Sequence, residues 1–166
     1  MATTTVDTAE RERIQRDYLA AWNARDAERI ASFFTEDAVY DDRGAAEVAR
    51  GRAAIAAHAA KVHAAFGDLR FEMVRSAHAE DFSAGHWTSQ MTHTGTIEGF
   101  EASGRVVTSE GVDVATLDAE GRITHLVSFY DGAQILRDLG VLPARGSRAE
   151  RALAKLASVP ARLRRR

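Results

Sequence analysis

The spacing of apolar residues changes at Gly67, and this change limits the possible folds of the chain more than any other feature. Before Gly67, apolar side chains recur at intervals of three or four residues, as Ile55 and Ala59 do, which is the spacing of one helix face. After Gly67, Leu69 and Phe71 alternate with polar residues, as in a strand with one buried face. We therefore expect helices first and a sheet second, which is the order of an α+β domain.

The individual elements follow from these periods and from the residues that interrupt them. Helices are predicted at about residues 8–23, 26–34, 52–66 and 131–139, with Asp26 as the N-cap of the second. Strands are predicted at about residues 69–75, 82–94, 105–117 and 122–130, the last two joined by a hairpin turn at Asp118–Gly121. Ala38 to Tyr40 predicts only a brief extended segment. The expected fold is a cone-shaped, curved antiparallel sheet with three N-terminal helices enclosing a pocket, the usual place for a small ligand.

Charge divides the chain into two parts. The net charge is −2 over 166 residues, but residues 143–166 carry eight basic residues and one glutamate, or +7, which leaves −9 on residues 1–142. We expect one domain over residues 1–142 and a basic helical tail over residues 143–166. An acidic body does not favour nucleic acid as a partner, because phosphate binding needs positive charge around the site.

The spacing of apolar and basic residues in the tail predicts an amphipathic helix. Ser147 and Glu150 have the spacing of a capping box, and Ala149, Leu153 and Leu156 form an apolar stripe. We expect this helix to pack on the acidic body or on the sister subunit of a homodimer. Contact of the tail with an anionic membrane or with nucleic acid is the alternative, and a single short stripe gives only weak membrane binding.

Composition excludes several classes of chemistry. The chain has no cysteine, which rules out disulfides, thiolate catalysis and zinc–thiolate sites. His58 and His63 are five residues apart rather than four, so no metal site is expected. No apolar run approaches the ~18 residues of a membrane span, and Met1–Asp7 lacks the apolar core of a signal peptide. We expect a cytoplasmic protein.

Two segments resemble a known enzyme family. Tyr18–Asp26 and Phe33–Ala38 are similar to the first two helices of the bacterial ketosteroid isomerases, which belong to the nuclear transport factor 2-like superfamily. The resemblance implies that Tyr18 is a hydrogen-bond donor to a developing oxyanion and that Asp42 is the catalytic base. It also implies that Asp113, in a Val-Asp pair before the predicted hairpin, is a second donor in its protonated form.

Two further segments resemble the SnoaL-like polyketide cyclases of the same superfamily. These are Thr92–Arg105 and Asp131–Gly140. The resemblance implies that Asp131 is the acid/base of an intramolecular aldol closure. Ser128 stands where the limonene-epoxide-hydrolase branch has an aspartate, so epoxide hydrolysis is not expected. Arg43 replaces the proline after the isomerase base, and a cation there would lower the pKa of the neighbouring aspartate and weaken it as a base.

These residue types fit the movement of a proton next to a ketone, which requires a base at carbon and donors at the oxygen. The reaction would be an isomerisation or an aldol-type cyclisation of a hydrophobic ketone, with no cofactor and no metal. The candidate catalytic residues are Tyr18, Asp42, Asp113 and Asp131. The candidate substrate-binding residues are Trp22, Tyr40, Trp87, His125 and Phe129.

Other interpretations of the same residues stay open at this stage. Tyr18 could be a core aromatic residue, Asp42 part of a solvated turn, and Asp131 a helix cap for Gln134. The protein could accordingly be a non-catalytic module that binds a lipophilic ligand. It could also be a dimeric assembly module, whose interface would use apolar side chains on the outer face of the sheet; the candidates are Val106, Val112 and Val114.

Overall fold

The structure, a computed structural model, describes residues 8–163 and, within them, the side chains of residues 9–158. Met1–Asp7, on which the expectation of a cytoplasmic location partly depends, lies outside the described residues. The helices are α1 (Thr8–Asn23), α2 (Ala27–Ser32), α3 (Arg52–Ala65), α4 (Gly132–Asp138) and α5 (Arg148–Leu163). The strands are β1 (Phe34–Asp42), β2 (Glu47–Arg50), β3 (Arg70–His78), β4 (Phe82–Thr92), β5 (Val106–Leu117) and β6 (Ile123–Tyr130).

The helices begin where the sequence supplies a cap. Asp26 accepts a hydrogen bond from the backbone N–H of Arg29 over 3.0 Å and so begins α2, as predicted. Asp131 begins α4 in the same way by accepting from the N–H of Gln134 over 2.9 Å. α3 begins after Gly51, whose φ of +79° is a left-handed conformation that glycine adopts without strain.

One six-stranded sheet runs in the order β2-β1-β6-β5-β4-β3. The pairs are antiparallel except β1 with β6, which is parallel, so the sheet is not antiparallel throughout. β1 is nine residues long and pairs on both sides, where only a brief extended segment around Ala38–Tyr40 was expected. The length of β1 was underestimated because Asp41, Asp42, Arg43 and Gly44 are residues typical of a turn. β2 was not predicted.

Helices α1 to α3 pack on one face of the sheet, called here the inner face. The core between them contains the fully buried side chains of Ile30, Phe34, Ile55, Val107 and Leu126. The opposite, outer face carries the exposed side chains of the strands. The α+β fold class, with a sheet covered by N-terminal helices, is confirmed.

The C-terminal helix lies apart from this core. One half of the predicted capping box is present, because the N–H of Glu150 donates to Oγ of Ser147 over 3.0 Å. The Glu150 carboxylate accepts from the N–H of Gly146 instead of that of Ser147. The described side chains of α5 from Arg151 to Ala157 are all exposed, so the expected packing of this helix on its own acidic body is not seen. Within residues 8–163, no helix is long and apolar enough to cross a membrane.

Candidate active site

Three polar side chains lie side by side on the inner face, on three neighbouring strands. Asp113 of β5 is directly opposite Ser128 of β6, and Ser128 is in turn opposite Asp42 of β1. Gly85 of β4 is the next residue in this row, opposite Asp113. Strand pairing, rather than closeness in sequence, therefore brings Asp42 and Asp113 into the same row across the sheet.

Asp113 is held by one of its two carboxylate oxygens. Nε1 of Trp87 donates to Oδ1 over 2.9 Å, and Oγ of Ser128 donates to the same atom over 2.7 Å. Oδ2 accepts no hydrogen bond from the described residues. Burial raises the pKa of Asp113 to about 6 from its ordinary value of 3.8, because the hydrogen bonds from Ser128 and Trp87 lower the pKa by less than the loss of solvation raises it. The negative charge of Asp42 raises it further. The result is a fixed carboxyl group with one unbonded oxygen and a pKa near neutrality.

A glycine makes the contact with Trp87 possible. A Cβ atom at Gly111 would lie 2.5 Å from the indole ring of Trp87, so any side chain there would displace the ring. Gly111 is opposite Trp87 on the neighbouring strand, one inner-face position away from Asp113. The indole therefore lies across the glycine and reaches the carboxylate.

Asp113 lines a cavity between α1 and the inner face. The cavity has a volume of about 50 Å³ and opens to solvent. Its wall is mostly apolar, with Ile14, Leu19, Met73, Ala115, Leu117 and Leu126, and its polar groups include Gln15, Tyr18, Ser83 and Trp87. An apolar wall with few polar groups is typical of a site that binds a hydrophobic small molecule and orients it by few polar contacts.

Tyr18 contributes the second functional group of this cavity. Its side chain is buried, and its hydroxyl has no hydrogen-bond partner among the described residues. Burial, and next the negative charge of Asp113, raise the pKa of Tyr18 far above its ordinary value of 10, so the hydroxyl stays protonated. A buried donor with no partner is costly unless a ligand accepts its hydrogen bond. The Tyr18 hydroxyl is therefore available to an oxygen atom in the cavity.

Asp42 belongs to a separate, fully bonded cluster. Its carboxylate accepts from the hydroxyl of Tyr130 over 3.0 Å and from the N–H of Ala45 over 2.8 Å, and lies 3.5 Å from Nε2 of His58. Burial raises its pKa, but the bonds from His58, Ala45 and Tyr130 together outweigh burial and keep the pKa below the ordinary 3.8. Gly44 leaves room for the Tyr130 ring, which a Cβ there would overlap. Asp42 does not line the cavity.

The remaining predicted site residues lie elsewhere. Trp22 and Tyr40 are buried in the core, where Trp22 packs edge-on against Phe71 and neither residue lines the cavity. His125 and Phe129 lie on the outer face and are exposed. Asp131 is exposed and caps α4. Of the nine candidates, the structure therefore brings Tyr18, Trp87 and Asp113 together at the cavity.

Three residues near the site were not predicted as part of it. Ser128 donates to Asp113, Tyr130 anchors Asp42, and the amide of Gln15 lies over Gly85 at the cavity wall. Gln15 follows Ile14 and precedes Tyr18 by three residues on α1, a helical spacing that could have indicated a shared face. In the described part of the chain, no group of three or more histidine and acidic side chains could hold a metal ion.

Comparison with solved structures places the chain in a known fold class. A protein from Catenulispora acidiphila with a ketosteroid isomerase-like fold matches at 18% identity and a TM-score of 0.67, over 81% of this chain and 96% of that one. The fold is thus that of the nuclear transport factor 2-like, ketosteroid isomerase-like proteins. The model of the SnoaL-like polyketide cyclase family matches residues 12–139. The chain belongs to the SnoaL-like polyketide cyclase family.

Two further structures are similar over most of their length. AclR of Streptomyces galilaeus, a hydroxylase candidate, matches at 24% identity and a TM-score of 0.74, over 96% of this chain and 99% of its own. IdmH of Streptomyces antibioticus, a polyketide cyclase candidate, matches at 21% identity and a TM-score of 0.67, over 79% of this chain and 99% of its own. No curated protein sequence matches the chain.

Proposed function

We propose that the protein is an enzyme that moves a proton next to the carbonyl of a hydrophobic ketone, without a cofactor, in the cavity beneath α1. Asp113 is the acid/base and Tyr18 is the donor to the oxygen. The overall reaction would be an isomerisation or an aldol-type cyclisation. Both begin with removal of a proton from the carbon next to the carbonyl.

The observation that carries this proposal is the state of Asp113. One oxygen is fixed by two donors, the other accepts no bond from the described residues, and the pKa is about 6. A general base works best when its pKa lies near the working pH and its position is fixed. Membership of a polyketide cyclase family supports the same class of chemistry.

The chemical steps can be written with these two residues alone. Oδ2 of Asp113 accepts the proton from the carbon, and the electron pair of the C–H bond moves to the carbonyl oxygen to give an enolate. The hydroxyl of Tyr18 donates a hydrogen bond to that oxygen, a stabilisation worth about 3 kcal/mol for one oxyanion donor. Asp113 then returns the proton to another carbon in an isomerisation. In a cyclisation, the enolate carbon attacks a second carbonyl of the substrate, and the proton goes to the new alkoxide.

The other two aspartates suit the role of base less well. Asp42 has a pKa below the ordinary value and three donors on its carboxylate, so it is a weak base without a free position toward the cavity. Asp131 is exposed and already accepts from the N–H of Gln134. We therefore assign the base to Asp113, and Asp42 to support of the surrounding structure.

Hydrogen–deuterium exchange tests the proposal without knowledge of the natural product. Cyclic and polycyclic ketones are incubated in D₂O with the protein, and incorporation of deuterium next to the carbonyl is followed by NMR. We expect the wild type to accelerate exchange of at least one hydrophobic ketone and Asp113→Asn to lose this acceleration. A ketone that binds in the cavity and exchanges at the uncatalysed rate would support the non-catalytic binding module instead.

A further inference from the structure

The wall of the cavity includes a buried cation. Arg11 of α1 lines the cavity together with Tyr18 and Asp113, and only 4% of this arginine is exposed. A guanidinium group stays charged at every physiological pH. In the wall of a mostly apolar cavity such a charge helps to determine which ligands bind, because charges interact more strongly where water is excluded.

Arg11 and Tyr18 lie on the same side of α1, toward different ends of the cavity. Seven residues separate them, which is close to two helical turns, so both side chains face the cavity. At a rise of 1.5 Å per residue, the two positions are about 10 Å apart along the helix. A ligand whose carbonyl oxygen accepts from the Tyr18 hydroxyl therefore has to extend about 10 Å to reach Arg11.

The sheet side of the cavity shows the same separation. The guanidinium of Arg11 donates to the carbonyl oxygen of Glu80, in the turn between β3 and β4. His78 and Ser83 form the last strand pair before this turn. Asp113 is opposite Gly85, which lies two residues farther from the turn than Ser83. The row of His78 and Ser83 therefore lies between the guanidinium and the carboxyl group of Asp113.

The other ionisable groups near this end have weaker charges than Arg11. Burial lowers the pKa of His78, and the opposing effects of Glu12 and Arg11 leave the pKa below its ordinary value of 6.5, so the imidazole is neutral at pH 7. Glu12, Glu80 and Asp81 are exposed, and water and salt screen their negative charges. Among the described residues at this end, Arg11 is therefore the charge that a bound ligand senses most strongly.

A carboxylate is the ligand group that suits this end. A guanidinium has five N–H donors in a planar fork, so it can hold a backbone carbonyl and a carboxylate at the same time. A phosphate would bring a larger charge into a mostly apolar cavity, at a greater cost in lost hydration. Between Arg11 and Asp113 the wall is largely apolar and includes Ile14, Ala115 and Leu117. That surface matches the hydrocarbon framework between two polar groups of one ligand.

We propose that the ketone substrate carries a carboxylate about 10 Å from its reacting carbonyl, and that Arg11 binds this carboxylate while Tyr18 and Asp113 act at the carbonyl. Arg11 is then a specificity-determining residue of the site. The assignment depends on the proposed function for the carbonyl end, whereas the carboxylate end can be tested by binding alone.

Deuterium exchange of paired keto acids and methyl esters tests the carboxylate site. The probes are 4-oxocyclohexyl alkanoic acids with side chains of increasing length, each compared with its methyl ester. For the wild type, kcat/KM should favour the acid by at least about tenfold, as expected for a charged hydrogen bond. The preference should be largest where the chain separates carbonyl and carboxylate by about 10 Å. Equal rates for acid and ester at every length would overturn the carboxylate site and leave the proposed function intact.

Substitutions on α1 test whether Arg11 is the cation responsible. Arg11→Met should abolish the preference for the acid, and Arg11→Lys, which keeps the charge but loses the planar fork, should retain part of it. Arg16→Met is the matched control, because it removes the same charge from the exposed side of α1; it should keep the wild-type preference. Circular dichroism checks the fold of each variant, since Arg11 also bonds to Glu80. A preference that survives Arg11→Met in a folded protein would contradict the assignment.

Calorimetric titration distinguishes failure of the carboxylate site from failure of the proposed reaction. The same acids and esters are titrated into the wild type and into Arg11→Lys. Tighter binding of the acid that weakens in the variant, in a protein that exchanges neither probe, would support the carboxylate site and contradict the proposed reaction. Equal affinity of the wild type for acid and ester would contradict the carboxylate site, whatever the rate of exchange.

Discussion

Nε1 of Trp87 and Oδ1 of Asp113 are 2.9 Å apart, and the indole reaches this position because residue 111, between them, is glycine. The bond fixes one oxygen of the carboxyl group, and Ser128 donates to the same oxygen. The other oxygen is then left for the cavity. Burial and the two hydrogen bonds therefore give Asp113 a fixed orientation and a raised pKa. An acid/base residue needs both properties.

Substitutions at Asp113 and at Asp131 test which of these two aspartates is the base. Asp113→Asn should reduce the rate of ketone deuterium exchange by about a thousandfold, because general-base catalysis typically contributes that much. Asn keeps an oxygen for Trp87 and Ser128, so the fold should be preserved. Asp131→Asn should leave the rate unchanged, since asparagine also caps helices well. The assignment fails if Asp131→Asn is the variant that loses activity.

Tyr18→Phe should lower the rate of exchange by about a hundredfold, because it removes the donor to the enolate oxygen. The folded state should not suffer from the change. The Tyr18 hydroxyl has no partner among the described residues, so its removal relieves a buried unsatisfied group. Urea unfolding of both proteins provides the check. If Tyr18→Phe lowers both the rate and, by a large amount, the free energy of unfolding, the role of Tyr18 is only structural.

The rate of exchange should depend on the ionisation of Asp113. Since the base form is the carboxylate, the rate should rise with pH through a midpoint of about 6 and become constant above it. At about pH 5 it should be roughly tenfold below the plateau. Trp87→Phe removes a donor that favours the charged form, so the midpoint should move upward by about one pH unit. A midpoint unmoved by this substitution would show that another group controls the rate.

Asp113 should also make the folded state less stable as the pH rises. Its native pKa of about 6 exceeds the ordinary 3.8, so the folded protein binds this proton more tightly than the unfolded chain. The resulting stability is present below about pH 4 and is lost as the pH rises through about 6, a change of up to about 3 kcal/mol. The free energy of unfolding of Asp113→Asn, relative to wild type, should therefore increase between about pH 4 and about pH 7. A difference that is constant over this range would contradict the raised pKa.

Tyr130→Phe should show that the contribution of Asp42 to stability depends on pH in the opposite direction to that of Asp113. The substitution keeps the ring but removes a donor to a carboxylate whose native pKa lies below 3.8. It should cost about 1 kcal/mol of stability at neutral pH. The cost should shrink as the pH falls through the native pKa of Asp42, where the wild type loses the same stabilisation. Urea unfolding of both proteins over this pH range provides the measurement, and equal stability at neutral pH would mean that the bond contributes nothing.

The sequence was sufficient to predict the elements with a clear period. α1, α3 and the strands β3 to β6 were expected within a few residues of their observed bounds, since their apolar residues follow one period. β1 was underestimated, because its pairing with β6 is a tertiary contact and its polar end, Asp41-Asp42, is typical of a turn. β2, only four residues long, lacks a period of its own.

The faces of β6 and the partners of the aspartates were harder to predict. β6 carries apolar residues at both alternations, with Leu126 inside and Phe129 outside, so the sequence left its orientation open. Asp42 and Asp113 are 71 residues apart and come together only through the strand order. The bonds of Asp113 to Trp87 and Ser128 depend on register, which short-range patterns do not specify.

The most direct test of the proposed site is an NMR titration of the side-chain carboxyl carbon of Asp113, assigned by comparison of the wild type with Asp113→Asn. We expect a pKa of about 6, and a further rise when a hydrophobic ketone occupies the cavity and removes remaining water. A pKa at or below the ordinary 3.8 that does not respond to such a ketone would mean that Asp113 is a solvated carboxylate, and would contradict its role as the acid/base of this cavity.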